Sequence, residues 1–216
     1  MPGSPSAIEP RIVDFDGLRI EYDDRVLAPR PWTAEQARWA ARLIRTAPPG
    51  PVLELCSGAG HIGLLAASLA PRTLVCVDAC PVACSYLRRN AARAGLRVDV
   101  REGRMDEVLH PDERFAVIIA DPPWVPSDEV GRFPEDPVTA IDGGADGLDL
   151  ARGCVEVFAR HLVLAGSALL QVGPGHGPLV RALTEAHPEL AVVATRDYPR
   201  GTLVQVDRVA DDAEAA

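Results

Sequence analysis

Two short stretches of this 216-residue sequence carry residue types that could do chemistry at close quarters. The first, ELCSGAG (Glu54–Gly60), places an acid ahead of Gly58 and Gly60. With Gly63 it spells G-x-G-x-x-G, the fingerprint of a dinucleotide loop when it follows a strand and opens a helix. Such glycines let the backbone approach a ligand and aim the first N–H groups of the next helix at it. The second stretch is DPPW (Asp121–Trp124), after the apolar run FAVIIA. Two prolines end the ladder of a buried strand and fix the backbone there. Asp121 then offers a carboxylate, Pro122 a free carbonyl, Pro123 a rigid turn and Trp124 an aromatic face. Acceptors of this kind hold both hydrogens of a planar NH2 group while the ring covers its π-face. Its lone pair is thereby aimed at an electrophile, which is catalysis by orientation.

Glu54 decides between ligands for the glycine loop. A carboxylate so close would repel a pyrophosphate, an instance of discrimination by repulsion. A ligand with an ammonium group would welcome it. S-adenosylmethionine has an ammonium, a sulfonium and a ribose, and Asp78, ending TLVCVD, is placed to accept from ribose hydroxyls. The indole of Trp124 would favour a sulfonium methyl by cation–π attraction. Read without the cofactor, Glu54 is a carboxylate at a helix N-terminus. An NAD-dependent oxidoreductase is the alternative from the glycines alone.

The elements that must position these residues follow from periodicity. FDGLRIEYDDRVL (Phe15–Leu27) alternates around Asp16-Gly17 and reads as a β-hairpin. Thr33 opens a capping box with Gln36, and AEQARWAARLI has helical spacing. From Val52 onwards strands (VLELC, TLVCVD, RVDVRE, FAVIIA, SALLQV, LAVVATR, TLVQVDRV) alternate with helices over His61–Leu69, Pro81–Ala94, Leu148–His161 and Pro178–Ala186. Apolar strands with helical crossovers make a mostly parallel sheet covered on both faces. Only DYPRG joins the last two strands, so they form an antiparallel hairpin at one edge. Ligands of open α/β sheets sit at the carboxyl ends of the strands, where both chemical stretches lie. The long segment Val125–Asp149, rich in Pro and Gly, reads as a lid over the substrate.

A net charge of −9 disfavours a long anionic polymer as partner, so nucleic acid is not the expected substrate. No apolar run approaches the ~20 residues of a membrane span. Met1–Pro10 lacks the layout of a signal peptide, and a cytoplasmic enzyme is expected; this arm and the tail ADDAEAA read as mobile ends. Cys76, Cys80 and Cys84 have neither zinc nor cluster spacing and read as buried thiols; no metal is expected. His61 reads as a helix-start residue and His176 as a loop residue.

ELCSGAG, VDACPVACSYLRRNAARAG, DPPW and AIDGGADGLDL resemble class I S-adenosylmethionine methyltransferases, and within them the HemK/PrmC type that methylates the side-chain amide of glutamine in peptide release factors. The likeness runs from about Phe15 to Val209. It implies a Rossmann-like seven-stranded sheet, order 3-2-1-4-5-7-6 with strand 7 antiparallel, over residues 48–216. Residues 1–47 would form an arm, hairpin and helix packed on it within one structural domain. It implies a transfer to an amide or amine nitrogen held by Asp121, Pro122, Pro123 and Trp124. Glu54, Gly58 and Gly60 would border the methionine part of the cofactor, Asp78 its ribose, and Thr33 would lie near it. This sequence has Cys56 where the family usually has glycine, and DPPW for its usual Asn-Pro-Pro-Tyr. Arg104 stands where an acid contacts the adenine amine, with Asp106 as the substitute. The sequence shows no counterpart of the helical N-terminal domain of the bacterial enzymes. The acceptor is therefore protein glutamine or, as the alternative, a small molecule or natural product; adenine N6 fits DPPW but not the charge.

Overall fold

A computed structural model of the chain describes residues 9–210; the arm and tail noted above lie, but for residues 9, 10 and 210, outside them. The hairpin forms as expected, β1 (Arg11–Phe15) pairing antiparallel with β2 (Leu18–Tyr22). Its turn is Asp16-Gly17 with φ of 53° and 88°, a conformation that Asp and Gly tolerate best. The remaining elements in chain order are α1 (Ala34–Thr46), β3 (Val52–Leu55), α2 (His61–Leu69), β4 (Leu74–Asp78), α3 (Pro81–Arg93), β5 (Val98–Glu102), β6 (Phe115–Ala120), α4 (Val138–Ile141), α5 (Asp149–His161), β7 (Leu162–Val172), α6 (Gly177–Thr184), β8 (Leu190–Tyr198) and β9 (Gly201–Arg208).

Seven strands make one sheet in the order β5-β4-β3-β6-β7-β9-β8. Counted from the first sheet strand this is the expected 3-2-1-4-5-7-6. The first five are mutually parallel, and β9 runs antiparallel to both β7 and β8. Every residue of β3 and β6 is buried, which is what a central parallel strand covered on both faces requires. One apolar cluster, under α1, α2, α3 and the hairpin, gathers Phe15, Trp39, Leu64 and Leu87; the other, under α5 and α6, gathers Leu55, Phe115, Phe158 and Leu170. Among the described residues no helix is long and apolar enough to cross a membrane.

The hairpin is tied to the sheet through α3. Asn90, buried there, donates to the carbonyls of Glu21 (2.9 Å) and Ala59 (3.0 Å) and accepts from Glu21 N–H (2.8 Å). One side chain thus links hairpin and glycine loop. Tyr86, a turn earlier on α3, donates its hydroxyl to buried Asp23 at 2.5 Å, and Arg25 closes on the same carboxylate.

The capping box at Thr33 does not form. Pro31 starts a single 3-10 turn over Pro31–Thr33, so Thr33 already has helical angles (φ −72°, ψ −9°) and its hydroxyl turns back to the Arg30 carbonyl at 2.8 Å. Gln36 is fully buried instead. Its Nε2 bridges the carbonyls of Ala120 (2.9 Å) and Leu169 (3.2 Å), stapling β6 to β7. The segment expected as a lid is a folded cover, with a helical turn at Val130–Arg132, α4, and a short parallel bridge between Val125 and Asp142.

Candidate active site

The carboxyl ends of β3, β4 and β6 open onto a cavity of about 1290 Å³. Its wall includes Gly58, His61, Asp78, Met105, Asp121 and Pro123, with Arg25–Leu27 from beyond the hairpin and Thr139 and Ala140 from α4. Gly58 has φ +53° and open space where a side chain would stand, so its backbone faces the cavity bare. Gly60 serves geometry rather than contact: at φ +85° it precedes α2, and a Cβ there would come 2.7 Å from Leu87. Cys56 holds φ +54°, a region costly to a side-chain-bearing residue, which accounts physically for glycine in the resembling family.

Asp78 fixes the loop from the neighbouring strand. One oxygen accepts from Gly58 N–H at 2.7 Å and the other from Cys80 N–H at 2.8 Å. Asp78 is on the cavity wall, and each oxygen has acceptor capacity left for a ligand.

Glu54 lies behind the wall rather than on it. Its carboxylate accepts from Gly63 N–H at 2.7 Å and from the Cys76 thiol at 3.3 Å, beneath the first turn of α2. A Cβ on Gly63 would come 2.7 Å from the Glu54 carboxyl carbon. The third glycine of the fingerprint therefore makes room for the acid. Cys76, read from sequence only as a buried thiol, is the second donor.

Asp121 stands at the end of β6, and Gln171 on β7 donates Nε2–H to its Oδ1 at 2.9 Å. Asp121 and Pro123 are on the cavity wall; Pro122 is buried behind it, and Trp124, half-buried and off the wall, leans on Gly173. The cover is fitted onto this turn: Cβ atoms on Gly143 and Gly147 would come 2.8 Å from Trp124 Cα and almost onto its carbonyl. Only glycines admit that approach, so DGGADGLD is the structural mate of DPPW. The cover is also tied to the segment before α1 by the ion pair Arg30–Asp136.

Besides Glu54 and Gly60, two more expected cofactor residues stand differently. Thr33 is buried with its hydroxyl spent on Arg30, and it does not reach the cavity wall. Its neighbour Gln36 took the inward position. Asp106 does reach the wall, but there it is held by Arg104 through bonds of 3.1 and 3.0 Å. His61, which opens α2 as expected, is also a wall residue; it packs edge-on to Phe15 at 4.9 Å, and its Nδ1 has no partner among the described residues.

Glu54, Asp78 and Asp121 meet here with no cationic side chain pairing them among the described residues. Burial raises all three: Glu54 to about 8, Asp121 to about 7, and Asp78 upward. Burial pushes His61 down to about 4, so it is neutral. A cationic ligand would draw these acids into their charged forms, whereas Arg25 and Arg104 on the same wall are already paired with Asp23 and Asp106. S-adenosylmethionine fits this donor set.

Two protons held on Glu54 and Asp121 in the fold are released in the unfolded chain near its ordinary carboxylate range of about 4. Native binds more protons than unfolded between these limits, so stability falls as pH rises from about 4 and levels off above about 7 for Asp121 and about 8 for Glu54. His61 opposes this only below its ordinary pKa of about 6.5. Calorimetry should therefore show the melting temperature of the wild type falling between about pH 6.5 and about pH 8.5, and Glu54→Gln flattening the slope. A rising melting temperature over that interval would refute these protonation states.

Comparison with known proteins adds a family. A model for a methyltransferase domain matches residues 52–135. The release factor glutamine methyltransferase of Deinococcus radiodurans is 35% identical over 175 residues, covering 79% of this chain and 62% of that protein. That of Gloeobacter violaceus is 32% identical over 190 residues, covering 84% and 66%. The ribosomal protein uL3 glutamine methyltransferase of Bordetella pertussis is 31% identical over 184 residues, covering 80% and 60%. The chain thus spans under two thirds of the length of these relatives. Among solved structures, the Thermus thermophilus 16S rRNA N2 G1207 methyltransferase in complex with S-adenosylmethionine and guanosine superposes with a TM-score of 0.69 at 20% identity, covering 96% of this chain and 52% of that one. At that identity the likeness is one of fold.

Proposed function

This chain belongs to the class I S-adenosylmethionine-dependent methyltransferases of HemK/PrmC type, and from that premise we propose that it methylates an amide or amine nitrogen, with a protein glutamine side chain as the acceptor. The observation that carries the reading is Asp121: a carboxylate on the cavity wall, at the end of a central strand, beside the rigid Pro-Pro-Trp turn. The cofactor supplies an electrophilic methyl carbon. Asp121 and the Pro122 carbonyl hold the N–H bonds of the acceptor, and Trp124 covers its plane. The lone pair then points along the line of transfer. As the new N–C bond forms, the S–CH3 bond would break and leave a neutral thioether; the nitrogen becomes acidic and one of its protons passes to Asp121, whose raised pKa suits a base at neutral pH. The glycine loop and Asp78 hold the cofactor, and the cover fitted to Trp124 keeps water from the reacting nitrogen. The names of the Deinococcus and Bordetella relatives favour glutamine as acceptor.

Transfer of labelled methyl to a Gly-Gly-Gln peptide tests the acceptor, with extracts of small amines and amides alongside. Label on the peptide is the expected result; label only on a small molecule moves the acceptor to a metabolite or natural product. Titration calorimetry tests the cofactor. S-adenosylhomocysteine should bind and NAD should not, and the reverse would sink the reading.

A further inference from the structure

We propose that Gln171 is a positioning residue for methyl transfer: it occupies Oδ1 of Asp121 so that Oδ2 alone meets the acceptor nitrogen. This rests on the function proposed above.

The two residues stand on neighbouring parallel strands at their carboxyl ends, β6 and β7, one residue beyond the register pair Ala120–Leu170. Gln171 is 7% exposed, and its Nε2 lies 2.9 Å from Oδ1. A carboxylate on a single χ1–χ2 stem can turn about its last bond, and terminal torsions of this kind are broad. A buried donor at one oxygen removes that freedom before the acceptor arrives. Gln171 is itself fixed from both sides. Gln36 clamps the carbonyls of Ala120 and Leu169 immediately before the pair. On the other side β9 pairs Leu203 with Gln171, and Gly201 leaves only van der Waals room beside the Gln171 side chain (3.7 Å from a Cβ there to Cγ). The pair therefore sits on two strands stapled at the point where the acceptor must be aimed.

The same contact sets how Asp121 titrates. Burial disfavours its charge, and the Gln171 amide hydrogen bond favours it. The other ionisable groups that face it are Glu54 on β3 and Cys56 just after β3, and the Asp121 charge pushes both upward. Both resist ionisation near neutral pH, so among the described residues Gln171 supplies the one neutral donor that stabilises the charged form of Asp121.

The test uses Gln171→Leu, Gln171→Glu and Asp121→Asn in the full chain. Infrared difference spectra across neutral pH, without cofactor, follow the Asp121 carboxyl band, assigned by its loss in Asp121→Asn. In Gln171→Leu the midpoint should move above that of the wild type. On the nitrogen acceptor identified by labelling, kcat should fall roughly 10- to 100-fold, with KM and S-adenosylhomocysteine affinity within about twofold. In Gln171→Glu two carboxyls share a proton, and the singly protonated pair restores donation to Asp121. Its rate should therefore rise and then fall with pH where the wild type rises to a plateau. An unmoved midpoint in Gln171→Leu overturns the proposal, as does a rate loss matched by loss of S-adenosylhomocysteine affinity, which assigns Gln171 to strand packing. If the wild type methylates no nitrogen acceptor, the functional reading fails; the infrared midpoint still decides whether Gln171 governs Asp121.

Discussion

Asp121→Ala should lower kcat for methyl transfer by ~1,000-fold or more while S-adenosylhomocysteine binds within about threefold of wild type. The size follows from what is removed. Asp121 is at once an acceptor for the reacting nitrogen, an aiming device and the nearest base, and its loss leaves only the Pro122 carbonyl. Cofactor binding is spared because Gly58 is anchored by Asp78 from β4, not from β6. Asp121→Asn separates the roles. It keeps an oxygen for the Gln171 amide, so neither partner is left buried and unpaired. It cannot take a proton at neutral pH, and its residual rate should be insensitive to pH through about 7, where the wild type rises. Rapid-quench single turnovers at saturating cofactor measure both. Wild-type rates in Asp121→Ala would remove the carboxylate from the mechanism.

The second large effect runs against ordinary helix propensity. Alanine for glycine inside a helix usually stabilises by about 1 kcal/mol, and Gly63 lies in the first turn of α2. Here the added methyl would stand 2.7 Å from the Glu54 carboxyl carbon. That carboxyl is 2% exposed and held by Gly63 N–H and the Cys76 thiol, so it cannot swing away. Gly63→Ala should therefore destabilise by about 3 kcal/mol, or roughly 6–12 °C in melting temperature, and weaken cofactor binding by displacing the loop. Adding Glu54→Ala restores the space, so the double variant should be more stable than Gly63→Ala alone, a sign reversal read by a double-mutant cycle. Unchanged stability in Gly63→Ala would show that α2 can shift without cost.

Much of this was legible in the sequence because the signals were local. Near-continuous apolar strands gave the parallel sheet, DYPRG the terminal hairpin, and Pro-Pro after FAVIIA the end of a central strand. The order of the strands was carried by the resemblance, since periodicity does not say which strands are neighbours. What escaped was long-range. Gln36 and Gln171 are solitary polar residues in apolar runs, and only the packed sheet shows that each answers a group on another strand. Thr33 and Gln36 have capping-box spacing, but Pro31 begins the turn early and burial gives Gln36 better partners. The pairing of Gly63 with Glu54 spans a strand, a loop and a helix, so the glycine spelled a dinucleotide loop while serving a carboxylate.

The raised pKa of Asp121 has a bearing on the end of the catalytic cycle as well as its start. S-adenosylmethionine carries one more positive charge than the thioether it becomes. Methyl transfer therefore removes that counter-charge from beside Asp78, and the proton that the acceptor nitrogen passes to Asp121 cancels the Asp121 charge in the same step. The positive charge leaves the sulfur and arrives on Asp121 as a proton, so Asp121 must shed that proton before the next turnover. Recovery of the site should accordingly be fastest in alkaline solution, above the raised pKa of Asp121, and slow below about 7.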